Sequence, residues 1–524
     1  MRQQQCPNLV KPFREVTMRN IIVCCDGTWN TPEQKQGGIP VPTNVVKLFN
    51  CCLEDEEQIK YYHPGVGTEG GRIKRALGGG LGAGLDKNIQ SAYNWICRHY
   101  KSGDRIFLFG YSRGAYTVRS LGGFILRCGL LNIEGLDAHE AWERIGTAFT
   151  MGYREKKEKN EWGSDWKSME TPDIHFIGAW DTVGARGVPD DMVLLDALID
   201  NPSRYSFHDT NLSPRVRHAY HAVALDEVRA SFTPTLWTLA PGEQRAEGST
   251  FEQIWFPGNH GDVGGGHVEC GLSDSALQWM LDKAAEHHLR LDSKLYNQLR
   301  CNHQDVLHDA LDGIWKSMRT LPRAVPEFNS NHVNQSLHDS AWRRHQDPPI
   351  GQAPYRPSRR IPENQTWSGS IFARERWNET GIWLEAGATY SFQASGEWID
   401  LYNRCGPQGM DDGKFRPGKI IYSLPDLFIA PLEHAYQRLT GKKNADFRLT
   451  RRYEQFKWFA LVGMVANQTD ADGSGTPPLG EAFLIGNSCE FTPSESGYLY
   501  CFANDAWGLY DNNRGSVALN VQRK

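Results

Sequence analysis

The sequence predicts two architectures in succession: a mostly parallel α/β sheet covered on both faces, then an all-β sandwich. Three observations carry this. Short apolar runs alternate with helix-length amphipathic stretches through about the first 330 residues, the pattern of a parallel sheet buried under helices. After about residue 367 that period gives way to short alternating strands between Gly, Asn and Asp turns. Between them lies HQDPPIGQAPYRPSRRIPENQ, rich in Pro, Arg and Gln, which reads as a linker or an extended surface strap. The expected division is therefore 1–335, 336–366 and 367–524.

Taken in order, residues 21–25 (IIVCC) are a β-favouring run ending in the turn Asp26-Gly27-Thr28. Residues 85–100 place Ile89, Tyr93, Ile96 and Tyr100 on one helical stripe. Residues 105–110 (RIFLFG) read as a buried strand, 115–131 as a helix, 173–180 (DIHFIGAW) and 253–256 (QIWF) as strands, and 273–285 as a helix. The aperiodic stretch 185–250 stands where a lid or substrate-pocket insertion would sit. In the last region SGSIFA, GIWLEAGATYSFQASGEW, WFALVGMV, EAFLIGN, GYLYCFAND and SVALNVQ read as strands, with 426–456 an inserted helical piece.

Composition narrows the function. The chain has 40% hydrophobic and 23% charged residues, which is globular rather than disordered. Its 57 basic and 62 acidic residues, net −5, exclude the concentrated basic surface of a nucleic-acid binder. No run reaches the roughly 18–20 apolar residues of a membrane span, and the first residues lack the apolar core of a signal peptide. The expectation is a chain that is cytoplasmic as synthesised, any secretion using a signal-independent route. The 12 cysteines follow no zinc spacing; Cys24–Cys25 and Cys51–Cys52 are adjacent pairs, not C-x-x-C. Most read as buried thiols, while Cys489 and Cys501 are able to pair in an oxidising compartment.

The strongest chemical signal is Gly110-Tyr111-Ser112-Arg113-Gly114, a G-x-S-x-G pentapeptide between the strand RIFLFG and the helix AYTVRSLGGFIL. That context is a nucleophile elbow: a serine on a sharp strand-to-helix turn, its hydroxyl exposed above the sheet, as in an α/β-hydrolase. The N–H of Arg113 then faces a developing oxyanion. Serine needs a base, and the base an orienting carboxylate, in the chain order Ser, Asp or Glu, His. Asp181 ends one strand (GAWDTVGA) and His260 follows another (WFPGNHGDVGGGH), so both belong at the sheet edge of Ser112. Asp226 and Asp262 are rival carboxylates, and His218, His221 and His267 rival histidines. His218 and His221 near Asp226 and Glu227 suggest a metal, but no further ligand cluster supports it. A second oxyanion donor is expected after the first strand, through the N–H of Thr28 or Gly27. The glycines of 78–84 (GGGLGAG) lack the Gly-Lys-Ser/Thr ending of a phosphate loop and read as a flexible loop beside the site.

CDGTWN, YYHPGVGT, GLDKNIQSAYNWI, GDRIFLFGYSRGAYTVRSLGGFI, IHFIGAWDTVGA, HAVALDEVRASF and WFPGNHGDVGGGH with LSDSALQWM follow one another over residues 18–290. In this order they resemble a large α/β-hydrolase family that includes the first class of type VI secretion phospholipase effectors. The resemblance implies a Ser-Asp-His triad and cleavage of phospholipid acyl esters. The C-terminal region is similar to small bacterial galactophilic calcium-dependent lectins in GEW near 396, CGPQG at 405–409, FLIGNS at 483–488 and NDAWGLYDNNRGSVALNV at 504–521. Carried over by position, the implied calcium ligands are the side chains of Asp505, Asn512 and Asn513 and the carbonyl of Leu509, with Asp400 as a further carboxylate. The lectins' sugar contacts have no counterpart in MDDGKF at 410–415.

The function expected is thus a serine esterase of the phospholipase A type, acting as an antibacterial type VI secretion effector. It needs no cofactor for catalysis and touches the membrane surface transiently. Its β domain would meet a glycan or the secretion machinery. The alternatives are a non-lipid carboxylesterase, or a carbohydrate-binding protein with a degenerate hydrolase half.

Overall fold

Every residue of Asn20–Cys25 is buried (β1), because neighbours lie on both edges and both faces of it. Ile21, Val23 and Cys25 enter one core layer, and Ile22 and Cys24 the opposite one, the two-residue period of a strand covered on each side. The structure, a computed structural model, describes residues 18–28, 30–65, 81–163, 166, 170–184, 211–240, 242, 244–311, 319–329, 336–410, 451–467 and 480–524.

Five further strands complete the sheet: Gln58–His63 (β2), Arg105–Tyr111 (β3), Ile174–Trp180 (β4), Val216–Ala224 (β5) and Thr250–Phe256 (β6). Their order is β2-β1-β3-β4-β5-β6, and every pairing is parallel. The helices Asn44–Cys51 (α1), Leu81–His99 (α2), Arg113–Cys128 (α3), Ala138–Thr147 (α4), His260–Gly264 (α5) and Gly271–Glu286 (α6) connect and cover it. The register aligns Tyr111 with Trp180, Trp180 with Ala222, and Ala224 with Phe256. The C-terminal ends of β3 to β6 thus meet on one edge, where ligands gather in open parallel sheets.

The second region begins at Thr366–Phe372 (β7) and continues with Asn378–Leu384 (β8), Tyr390–Ser395 (β9), Trp398–Asp400 (β10) and Asn403–Cys405 (β11). Leu461–Ala466 (β12), Glu481–Leu484 (β13), Ser488–Phe491 (β14), Gly497–Ala503 (β15) and Asn513–Arg523 (β16) follow. One antiparallel sheet runs β8-β15-β12-β13, the other β11-β10-β16-β9-β14 with β7 also on β16. Ile371, Phe392, Trp398, Leu461, Leu499 and Val517 are among the side chains filling the space between them.

The two regions share a core. Val223, Leu225 and Trp255 from the parallel sheet, with Val325 and Phe328, pack on Val462, Met464, Tyr498, Tyr500 and Phe502. Arg356 pairs with Asp226 at 2.7 Å across the same seam.

Several expectations change. The stretch 185–250 is not only an insertion, since it supplies strand β5 and the first residue of β6, while 185–210 lie outside the described residues. Part of the expected linker docks on the sheet edge: Trp255 donates its backbone N–H to Ser336 and accepts from His338, and a helix follows at Asp339–Gln346. Of the expected helical piece 426–456, residues 451–456 form turns, and the rest lies outside the described residues. The glycine loop at 78–84 gives way at Leu81 to helix α2, with 78–80 outside the described residues. Cys489 and Cys501 are both free thiols.

Candidate active site

Ser112 sits between β3 and α3 with φ 57° and ψ −122°, a region that L residues rarely adopt. Glycines make the turn possible. A Cβ on Gly114 would lie 2.1 Å from the carbonyl oxygen of Cys25, and one on Gly110 would lie 2.4 Å from that of Gly114. Ser112 is tied to the next strand, donating its N–H to Trp180 O at 3.0 Å. Its side chain makes no capping bond to the helix it precedes, which leaves the hydroxyl at the end of the sheet.

Asp181 directly follows β4 and also has positive φ, 37°. It is fully buried. Its Oδ2 meets His260 Nδ1 at 2.6 Å, and its Oδ1 accepts the N–H of Ala224 at 3.0 Å. Two strained residues on one sheet edge mark a functional site. His260 opens α5, and Asn259 caps that helix by accepting from Gly261 and Asp262 at 2.8 and 3.0 Å. The ring lies 4.7 Å from that of Tyr111 and 5.0 Å from that of Phe232. The His260 backbone N–H donates to buried Glu227, which is itself held by Arg229. Burial holds the His260 imidazole below its usual pKa, while Asp181 and Glu227 oppose that shift.

One residue was invisible in the sequence. Arg323 grips Asp181 with both guanidinium nitrogens, Nη1 to Oδ1 at 2.7 Å and Nη2 to Oδ2 at 2.9 Å. It also donates to the carbonyls of Ala224 and Phe232, each at 2.6 Å. Burial raises the Asp181 pKa, and Arg323 and His260 outweigh it, so the carboxyl is held well below the carboxylate range. The chain carries Arg323 142 residues after Asp181, in TLPRAVPEF, a segment with no motif to betray it.

The rivals have other work. Asp226 is paired with Arg356 and accepts from Tyr355 and Gly258. Asp262 accepts the Asn259 N–H within the α5 capping box. His218 stacks on His287 at 3.4 Å, whereas His221 accepts the N–H of Thr182 at 3.1 Å. Three apart on a strand, they point to opposite faces, so they do not converge on a metal. Of the two candidates for a second oxyanion donor, Gly27 donates its N–H to Asp26 Oδ1 at 2.7 Å in this structure. Thr28 is the other. The Ser112–His260 bond is not closed here, because among the described residues the His260 ring bonds Asp181 alone. Such bonds are often long until substrate is present.

In the β domain, β10 sets Asp400 opposite Asn513 of β16. Asp505 Oδ2 accepts from Asn513 Nδ2 at 2.9 Å, and its Oδ1 accepts the Ala506 N–H at 2.7 Å. Burial, and then the Asp400 charge, push the Asp505 carboxyl up to about 7. Among the described residues, the Oδ1 atoms of Asn512 and Asn513 have no hydrogen-bond partner. Leu509 lies in the turn just before Asn512, and its carbonyl accepts the Asn512 N–H at 3.3 Å. Two neighbouring buried carboxylates with amide oxygens to spare fit a hard cation.

Comparison with known proteins adds the following. Residues 19–283 match the family described as T6SS, phospholipase effector Tle1-like, catalytic domain. An uncharacterized protein of Saccharomyces cerevisiae (strain ATCC 204508 / S288c), YEL023C, is 32% identical over 250 residues, 43% of this chain and 33% of its own. The chain thus spans about a third of that relative's length. Among solved structures, the Tle1 effector bound to the VgrG spike of the type VI secretion system is 13% identical, covering 62% of this chain and 84% of that one, TM-score 0.33. An uncharacterized protein from Pseudomonas aeruginosa is 20% identical, covering 55% and 50%, TM-score 0.32. The EclA N-terminal domain, a PllA-like lectin, is 19% identical, covering 30% and 96%, TM-score 0.18. With the family match extending over just over half of its length, the chain belongs to the Tle1-like type VI secretion phospholipase effector family.

Proposed function

We propose that this chain is a serine esterase that cleaves the acyl esters of phospholipids, delivered as a type VI secretion effector. The observation that carries the reading is the buried Asp181–His260 bond on the sheet edge where Ser112 stands strained at its turn. In the reaction, His260 Nε2 takes the proton of Ser112 Oγ as that oxygen attacks the ester carbonyl. Asp181 holds the proton on Nδ1 and stabilises the imidazolium that forms. The N–H groups of Arg113 and Thr28 receive the oxyanion. The intermediate collapses to an acyl-Ser112 ester, and His260 returns the proton to the departing lysolipid alcohol. Water, deprotonated by the same imidazole, then releases the fatty acid and restores the serine.

The β domain is read as a calcium-holding module, with Asp400, Asp505, Asn512, Asn513 and the Leu509 carbonyl as its oxygen donors. A bound calcium ion would neutralise the two carboxylates and fix their loop to β10. The module would address the esterase to a target surface or to the secretion machinery. Among the described residues no helix is long and apolar enough to cross a membrane, which suits an enzyme that meets lipid from the water side.

The test is a lipid-product profile on phospholipid vesicles, wild type against Ser112→Ala. Release of fatty acid and lysolipid, abolished in the variant, supports the reading. Turnover confined to short-chain nitrophenyl esters would assign a non-lipid carboxylesterase instead. Vesicle hydrolysis unchanged in Ser112→Ala would exclude Ser112 as the nucleophile.

A further inference from the structure

One flank of the elbow is built around a carboxylate that the reaction above does not use. Asp26 directly follows β1 and is buried, 3% exposed. Its two oxygens take four donors. Oδ1 accepts the Gly27 N–H at 2.7 Å and Asn30 Nδ2 at 3.4 Å, both from its own loop. Oδ2 accepts Thr43 Oγ1 at 2.6 Å and Tyr62 OH at 2.9 Å. Those two belong to framework elements: Thr43 caps α1 by accepting the Val46 N–H, and Tyr62 lies in β2. Burial raises the Asp26 pKa against the pull of all four donors.

The loop so held touches the nucleophile. A Cβ on Gly27 would lie 3.1 Å from Ser112 Cβ, and one on Gly114 would lie 2.6 Å from the Asp26 carbonyl oxygen. The Gly27 carbonyl is fixed as well. It accepts the Asn30 N–H at 3.1 Å, and a Cβ on Gly65 would lie 1.7 Å from it. A trans peptide sets its N–H opposite its C=O, so a Gly27 carbonyl turned to Asn30 and Gly65 aims the Thr28 N–H the other way. Thr28 Oγ1 in the same loop is buried and, among the described residues, has no hydrogen-bond partner. Unsatisfied buried groups of this kind point to a role in catalysis.

We propose that Asp26 is a positioning residue: its carboxylate, anchored on Thr43 and Tyr62, sets the Gly27–Thr28 peptide beside Ser112 before substrate arrives. The proposal rests on the serine-esterase reading and deepens it, because donors already in place need no reorganisation as charge develops on the ester oxygen. Without Asp26 the Gly27 N–H and the Asn30 side chain lose their common acceptor, and the peptide between them is free to rotate. A short side chain with two acceptor atoms is what four donors require. Asparagine keeps an oxygen on the Gly27 N–H and turns its amide to Tyr62, whose hydroxyl is able to accept, whereas alanine loses every contact.

The full chain is assayed on phospholipid vesicles and on a soluble nitrophenyl ester as wild type, Ser112→Ala, Asp26→Ala, Asp26→Asn and Tyr62→Phe. An alkylboronic acid, whose adduct mimics the tetrahedral intermediate, probes the oxyanion site. Asp26→Ala should lower kcat by about a hundredfold or more, the scale of one lost oxyanion donor. KM should change by less than about twofold, and boronate affinity should fall in parallel with kcat. Asp26→Asn should restore most of the rate, and Tyr62→Phe should lie between wild type and Asp26→Ala. Unchanged kcat and boronate affinity in Asp26→Ala, with the melting temperature alone reduced, would overturn the proposal and leave the esterase reading intact. Where Asp26→Ala does not fold, Tyr62→Phe decides: kcat and boronate affinity lowered together support the proposal, and both equal to wild type overturn it. Turnover absent from wild type, or indifferent to Ser112→Ala, would instead overturn the esterase reading and the proposal with it.

Discussion

Arg323→Met would remove the fork that holds Asp181 and expose how the base is tuned. Arg323 Nη2 and His260 Nδ1 contact the same oxygen, Oδ2, at 2.9 and 2.6 Å, so they lie no more than about 5.5 Å apart. At an effective dielectric of 20, a full charge at that distance disfavours the imidazolium by about 3 kcal/mol. Spreading over the guanidinium reduces this, but the sign stands: the His260 pKa should rise once the arginine is gone. The acid limb of kcat/KM should move to higher pH accordingly, and kcat should fall while KM is little changed. Losing one partner of a buried ion pair should also cost about 3–5 kcal/mol of stability. The assay is the pH profile of ester hydrolysis for wild type, Arg323→Met and Arg323→Lys, repeated with added guanidinium. Lysine should be intermediate, keeping the charge without the fork, and guanidinium should partly restore the methionine variant. A profile that superimposes on wild type, with stability alone reduced, would refute any role in tuning the base.

Two further outcomes follow from the geometry. The folded Asp505 carboxyl titrates near 7, above its ordinary 3.8. Its contribution to stability is therefore full at acid pH and lost as pH rises through about 7. Calcium needs the deprotonated form, so the rise in Tm on adding it should be larger at pH 8 than at pH 5 and vanish in Asp505→Asn; a gain independent of pH would remove Asp505 from the site. At the elbow, Gly114→Ala would press a methyl group to 2.1 Å from Cys25 O and 2.6 Å from Asp26 O, costing about 3 kcal/mol or more. Gly135→Ala has open space around it and only its positive φ of 78° against it, about 1–2 kcal/mol. Urea midpoints that rank the two in the opposite order would refute the close approach of β1 and α3.

Much of the parallel sheet was legible because its strands are uniformly apolar. IIVCC and RIFLFG can only be buried on both faces, and G-x-S-x-G between a strand and a helix is a turn with few alternatives. Strand β5 (VRHAYHAVA) was missed because Arg217, His218 and His221 interrupt the apolar run. Its polar side chains are satisfied by partners remote in sequence: His218 bonds Thr250 and His221 bonds Thr182 and Gln253. Strand β2 (QIKYYH) hid in the same way, since Lys60 donates to the carbonyls of Phe49 and Cys52. That Asp26 turns back on the N–H of Gly27 was equally out of reach, because sequence alone does not show a side chain folding onto the next backbone amide. Arg323 lay beyond sequence reasoning altogether, because no local pattern announces which arginine closes on a carboxylate far back in the chain.

The most direct test of the central claim is covalent trapping. The full chain would be treated with a fluorophosphonate and its peptides mapped by mass spectrometry. A single adduct on Ser112 is expected, formed in parallel with loss of ester hydrolysis and slowed by orders of magnitude in His260→Ala. Full inactivation with Ser112 unmodified, or labelling of Ser112 that is indifferent to His260, would contradict it.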